Sequence, residues 1–133
     1  MKYLFVTCLF LLFCSIIYAQ DAALVVDEQT ICTAIEDRVP SGVDSSFSSD
    51  VGKLYCYTKI SGSDDTTTVS HVWYLGDEEK AKIELSVKGK TWRTWSSKNI
   101  DPSWVGKWKV EVVSANGDVL STKSFVITAP AAK

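Results

Sequence analysis

The chain has 133 residues, room for one domain. Hydrophobic residues make up 46% of it and charged residues 23%, a balance that excludes a disordered, highly charged polymer. With 14 basic and 16 acidic side chains the net charge is −2, so the overall basic excess of a nucleic-acid binder is missing.

Lys2 is the only charge before Asp21. Between them runs YLFVTCLFLLFCSIIY, closed by Ala19 with Ile17 two positions earlier. A positive start, a short apolar core and a small exit residue predict a cleavable signal peptide over residues 1–19. The run falls short of the roughly 20 apolar residues that span a bilayer, so no stable membrane insertion is expected after cleavage. A lipid anchor is disfavoured as well, because Thr7 and Phe13 precede Cys8 and Cys14 where a small residue is wanted. The mature chain is therefore expected to be exported, periplasmic or extracellular. It would keep Cys32 and Cys56, a disulfide candidate in an oxidising compartment. Such a bond would close a loop of about 25 residues, worth roughly 3.5 kcal/mol by loop entropy. Two buried free thiols are the alternative.

Charge is divided along the chain. From Gln20 to Glu79 acidic residues outnumber basic ones 12 to 3, and from Lys80 to Lys109 basic outnumber acidic 8 to 2. The division fits a surface for an anionic partner, and fits better still solubilising charge on outward strand positions.

A first strand is predicted over Leu24–Ile35 and a loop over Pro40–Gly52. The next strand, Leu54–Ile60, places Leu54, Cys56 and Ile60 on one face, and Ser61–Thr66 reads as a loop. In Val69–Leu75, His71 shares a face with Val69, Trp73 and Leu75. Lys80–Lys88 alternates most cleanly. Ala81, Ile83, Leu85 and Val87 point one way, and Lys80, Lys82, Glu84, Ser86 and Lys88 the other, as a half-buried antiparallel strand requires. Thr91–Ser97 follows. Lys107–Val112 turns Trp108, Val110 and Val112 inward. Asn116-Gly117, in the loop Ser114–Asp118, suits a tight hairpin turn. The return strand Val119–Ile127 alternates less cleanly, which predicts a bulge. No 3.6-residue periodicity persists beyond the signal. About seven strands in this length predict an all-β, immunoglobulin-like antiparallel β-sandwich over residues 20–128, with a small barrel as runner-up and a flexible tail at 129–133.

Four of the five tryptophans fall between Trp92 and Trp108. Trp92 and Trp95 must face opposite sides of a strand. One fills the core and the other stands outside, beside Arg93 or Lys98. Arg93, Trp95, Lys98 and Trp104 are thus the candidate binding residues, an aromatic-basic surface for a glycan or an envelope protein. The plainer reading keeps these tryptophans structural, with Arg93 lying over a ring. Trp73 and Trp108 read as core.

No catalytic residue, metal site or cofactor is expected. His71 is the only histidine, set mid-strand, and no G-x-S-x-G element marks a nucleophile. Zinc needs more Cys and His ligands than the mature chain offers. Asp64-Asp65 and Asp77-Glu78-Glu79 are acidic turns without the spacing of a calcium loop. The basic excess and interleaved aromatics of Lys80–Lys109 lend some support to a nucleic-acid partner, and export weighs strongly against one. The expected function is a non-enzymatic exported binding or assembly module of the cell envelope. The alternatives are a ligand-free accessory domain acting through strand edges, and a small hydrolase using His71. Composition sets no oligomeric state.

Several segments also resemble one family. They are His71-Val72-Trp73-Tyr74, Trp92-Arg93-Thr94-Trp95-Ser96-Ser97-Lys98, Gly106-Lys107-Trp108-Lys109-Val110, and Asn116-Gly117-Asp118 before Phe125. Glu36-Asp37-Arg38-Val39-Pro40 and Tyr55-Cys56-Tyr57 join them. Together they look like the bacterial domain of unknown function 2914. The resemblance implies a small β domain of exported or envelope proteins, and no known activity, substrate or catalytic residue.

Overall fold

Residues 24–130 are described by a computed structural model. The expected signal peptide, Cys8, Cys14 and the last three residues of the expected tail lie outside the described residues. The strands in chain order are β1 (Val25–Cys32), β2 (Ala34–Glu36), β3 (Val39–Ser41), β4 (Ser46–Ser48), β5 (Lys53–Ser61), β6 (Thr67–Leu75), β7 (Glu78–Val87), β8 (Thr91–Asn99), β9 (Gly106–Ser114) and β10 (Val119–Thr128).

The long strands assort into two sheets, one ordered β1-β5-β8 and the other β4-β10-β9-β6-β7. All pairs in them are antiparallel except β4, which runs parallel to β10. The chain passes from β1 to β4 through the β2–β3 hairpin and crosses between the sheets again after β4, after β5, after β7 and after β8, the Greek-key path of an immunoglobulin-like sandwich. The seven strands read from the sequence are the seven long ones. The three short strands escape alternation arguments because three residues hold too little of a period. β2 and β3 form a hairpin of their own. Its turn sets Asp37 and Arg38 at φ 48° and 64°, a left-handed pair made without the usual glycine.

The core follows the period of two. Phe125 sits at its aromatic centre, edge-on to Phe47 and Trp73 at 6.1 Å each and stacked on Trp108 at 5.9 Å. Trp73 is 0% exposed and Trp108 2%. A second cluster of Ile60, Val69, Val87 and Val112 extends the core, with Trp92 packed on it. Around Asn116-Gly117, Gly117 takes φ 90° and its N–H donates to Ser114 O at 2.9 Å. The expected bulge in β10 lies between Val119 and Ser121.

Two expectations are corrected. Lys80 does not face solvent with Lys82 and Glu84. The β6–β7 register shifts beside Trp73, where Ala81 is followed by Glu79 as the partner of Tyr74. Lys80 is the extra residue of that bulge, and its side chain is only 15% exposed. Nor do Cys32 and Cys56 form a disulfide; both are free and buried. Ile31 is the residue that pairs with Cys56, while Cys32 pairs with Tyr55. One step of register puts the two thiols on opposite faces of the sheet. Cys56 lies in the core beside the Gln29 amide, and burial pushes its thiol up to about 12.

Both thiols should therefore resist iodoacetamide in the native, non-reduced chain, and each should take one label after unfolding. Peptide mapping that finds a Cys32–Cys56 cross-link would contradict this arrangement.

Candidate functional site

β8 sorts the candidate residues between its two faces. Its register with β5 is unbroken from Thr91 to Asn99, so side chains alternate without interruption. Trp92, Thr94, Ser96 and Lys98 share the face of Leu54, Cys56 and Ile60, which is the core side. Arg93, Trp95 and Ser97 occupy the outer face. There Trp95 pairs with Tyr57, Arg93 with Lys59 and Ser97 with Tyr55. Arg93 is exposed and Trp95 half-buried, and Tyr57 beside it is 3% exposed. With Tyr57 buried, Trp95 is the ring that reaches this surface, bordered by Arg93 and by Lys59 across the strand pair. Of the two neighbours offered for the outward tryptophan, Arg93 is the one that stands with it.

Lys98 and Trp104 meet elsewhere, at the side where β7 and β8 border the sheets. Trp104 arrives on a tight turn. Asp101 Oδ1 accepts from Ser103 N at 2.9 Å and from Ser103 Oγ at 2.6 Å, and Trp104 N donates to Asp101 O at 2.9 Å. Those Ser103 bonds lower the Asp101 pKa. Trp104 O accepts from the Trp108 indole at 3.0 Å, and the two rings lie 6.0 Å apart. Over the half-buried Trp104 ring stand two ammoniums, Lys80 Nζ at 4.8 Å and Lys98 Nζ at 5.1 Å from its centre. Both being near one centroid, they are at most about 10 Å apart, and repel by at least roughly 0.4 kcal/mol in water or 1.7 kcal/mol at an effective dielectric of 20. Each gains about 0.5–1 kcal/mol from the ring, which offsets part of that repulsion. Glu78 lies 3.1 Å from Lys80 but is 72% exposed, so its contribution is small. The four candidates therefore form two pairs, Arg93 with Trp95 and Lys98 with Trp104, on opposite sides of β8. Lys80 joins the second pair. Its alternation pattern hides it, because only the bulge turns it inward.

A shallow hollow of about 520 Å³ crosses β10 and β9, lined by Ser45, Asp77, Lys107, Lys109, Ser124 and Val126 among others. It went unread in the sequence because its lining comes from separate segments. Lys109 is already engaged there, 5.0 Å from the Tyr74 ring and 3.6 Å from Glu111. Among the described residues no three His, Cys, Asp or Glu side chains converge as metal ligands would, and no helix is long and apolar enough to cross a membrane.

His71 is 0% exposed and bridges the sheets. Thr58 Oγ1 donates to Thr94 O at 3.0 Å, which leaves its lone pairs to accept from His71 Nε2–H at 3.2 Å. Nδ1 is then bare and accepts from Ser96 Oγ at 2.7 Å, and Ser96 Oγ in turn accepts from the Trp73 indole at 3.1 Å. Every donor in this set has an acceptor, and the ring is neutral. Burial lowers its pKa from the ordinary 6.5 to about 4. A ring so enclosed, with both nitrogens occupied, is placed to hold sheets together.

A family model described as "Protein of unknown function (DUF2914)" matches residues 66–127, almost all of β6 to β10. This is the family that the sequence resembles. Its span takes in the histidine, tryptophan and Asn-Gly segments and leaves Glu36–Pro40 and Tyr55–Tyr57 outside. No curated protein matches. Among solved structures 37 chains match. One, the crystal structure of Bifidobacterium adolescentis GH3 beta-glucosidase, aligns with a TM-score of 0.46 and 11% identity, over 80% of this chain and 17% of that chain. The chain spans less than a fifth of that enzyme's length, and at such identity nothing about activity follows.

The buried histidine makes stability depend on pH. Between about pH 6.5 and 4 the unfolded chain binds a proton that the folded chain refuses, so stability is full above that window and lost as pH falls through it, by about 3 kcal/mol. Urea unfolding at pH 7 and pH 4 should show this loss, and His71→Gln should flatten it. A wild-type stability independent of pH in that window would be inconsistent with a neutral buried ring. Ser96→Ala, which strands the Trp73 indole and His71 Nδ1, should cost about 2 kcal/mol at pH 7.

Proposed function

We propose that this chain is an exported, non-enzymatic binding module of the cell envelope, and that it holds a glycan on the outer face of its three-stranded sheet. The observation that carries this reading is Trp95, half-buried on the outer face of β8 and flanked there by Arg93, Lys59 and Ser97. Aromatic rings offer flat apolar surface to the C–H face of a sugar, and the neighbouring basic and hydroxyl groups reach its oxygens. Two strands of a packed sheet hold these groups with little freedom to lose on binding. The charged, apolar and small-residue pattern of residues 1–19 supports export. The sealed position of His71 supports a role without catalysis, since a general base must reach its substrate's proton.

Glycan-array binding of the purified chain tests the reading, with tryptophan fluorescence to follow affinity. Trp95→Ala and Arg93→Ala should each keep the β-rich circular dichroism of the wild type and weaken binding at least tenfold, about 1.4 kcal/mol. Glycan binding that survives both substitutions, or an array with no binder, would remove the proposal. For the export part, the mature N-terminus should read Gln20 in the extracytoplasmic fraction; a cytosolic chain that keeps Met1 would refute it.

A further inference from the structure

We infer that Lys80, Lys98 and Trp104 form a second ligand site, one for a phosphate or sulfate group. The two lysines come from different sheets and converge on one indole. Neither arrangement is an accident of a freely moving surface chain. Lys80 is turned inward by the β7 bulge and its side chain is 15% exposed. Lys98 lies on the inward side of β8, opposite the fully buried Leu54. Among the described residues, Glu78 is the only carboxylate within ion-pair distance of either ammonium. Asp101, near by in the chain, has its carboxylate turned onto Ser103. The site is thus a cationic pair with a single exposed counter-charge.

An oxyanion is the ligand such a pair selects. The two ammoniums, both about 5 Å from one ring centre, repel each other, and a tetrahedral anion that takes a charge-assisted hydrogen bond from one and screens the other offsets that repulsion. The ring face holds the lysines and repels the anion, so the anion sits beyond the ammoniums on the solvent side. The site lies on the opposite face of β8 from Arg93 and Trp95, so it stands or falls separately from the glycan surface.

Tryptophan fluorescence of the purified chain, titrated with inorganic phosphate against sodium chloride of equal ionic strength, tests the inference. A saturable change with half-saturation in the millimolar range is expected from phosphate and none from chloride. Lys80→Gln and Lys98→Gln should each raise the half-saturation at least tenfold, whereas Lys123→Gln, which removes the same charge from β10, should leave it unchanged. A sulfated monosaccharide in place of phosphate identifies the source. Tighter half-saturation assigns the group to a glycan, and equal half-saturation assigns it to a free anion. A response that chloride reproduces, or that survives both substitutions, overturns the site. Trp95→Ala, read on the glycan array, tests the other face, so the two failures are distinguishable.

Discussion

Deep between the sheets, Thr58, His71, Trp73 and Ser96 close a hydrogen-bonded set in which each donor meets an acceptor. Apolar packing is forgiving of small slips, but this set is not. A buried polar group without a partner costs on the order of 1–3 kcal/mol. Sliding β8 by one residue would carry Ser96 outward, strand the indole and the ring, and set Trp95 opposite Cys56 or Arg93 opposite Ile60. The set therefore acts as a register pin for the whole sandwich.

Everything on the surface of β8 follows from that pin. With Ser96 inward, Arg93 and Trp95 must stand outside and Lys98 must turn toward Trp104. The same logic separates Cys32 from Cys56 through β1, whose register pairs Ile31 with Cys56. Antibody-type sandwiches join their sheets by a disulfide next to a buried tryptophan. Here Trp73 is buried in the same manner, but β9 carries Trp108, Val110 and Val112 inward and no cysteine. In its place Gln29 spans the gap, donating to Val110 O at 3.0 Å and accepting from Ser121 at 2.6 Å.

Alternation made much of this legible in advance. Ala81, Ile83 and Val87 against Lys82, Glu84 and Lys88 could be read directly, as could the inward Trp108, the Asn116-Gly117 turn and the opposite facing of Trp92 and Trp95. What alternation could not show is what depends on a break in it or on distant partners. Lys80 changes face because of one inserted residue, which no periodicity announces. β2 and β3 turn through Asp37 and Arg38, where Asp tolerates the left-handed region but Arg stands in place of the expected glycine. Cys32 and Cys56 looked matched by count and compartment, yet only cross-strand register decides whether two sulfurs can meet. The pairing of Lys98 with Trp104 was visible as composition, while its separation from Arg93 and Trp95 needed the parity of β8.

The parallel pairing of β4 with β10 joins Ser46 to Val126 and Ser48 to Thr128, positions near opposite ends of the domain. A ladder of this kind cannot form until the C-terminal strand exists, and long-range parallel pairing is slow even then. During synthesis the early strands must wait, with β1 and β5 able to pair while Phe47 lacks the Phe125 against which it packs. The last ten residues of the sandwich thus act as its clasp, because the strand that completes the core is the last of the domain to be made.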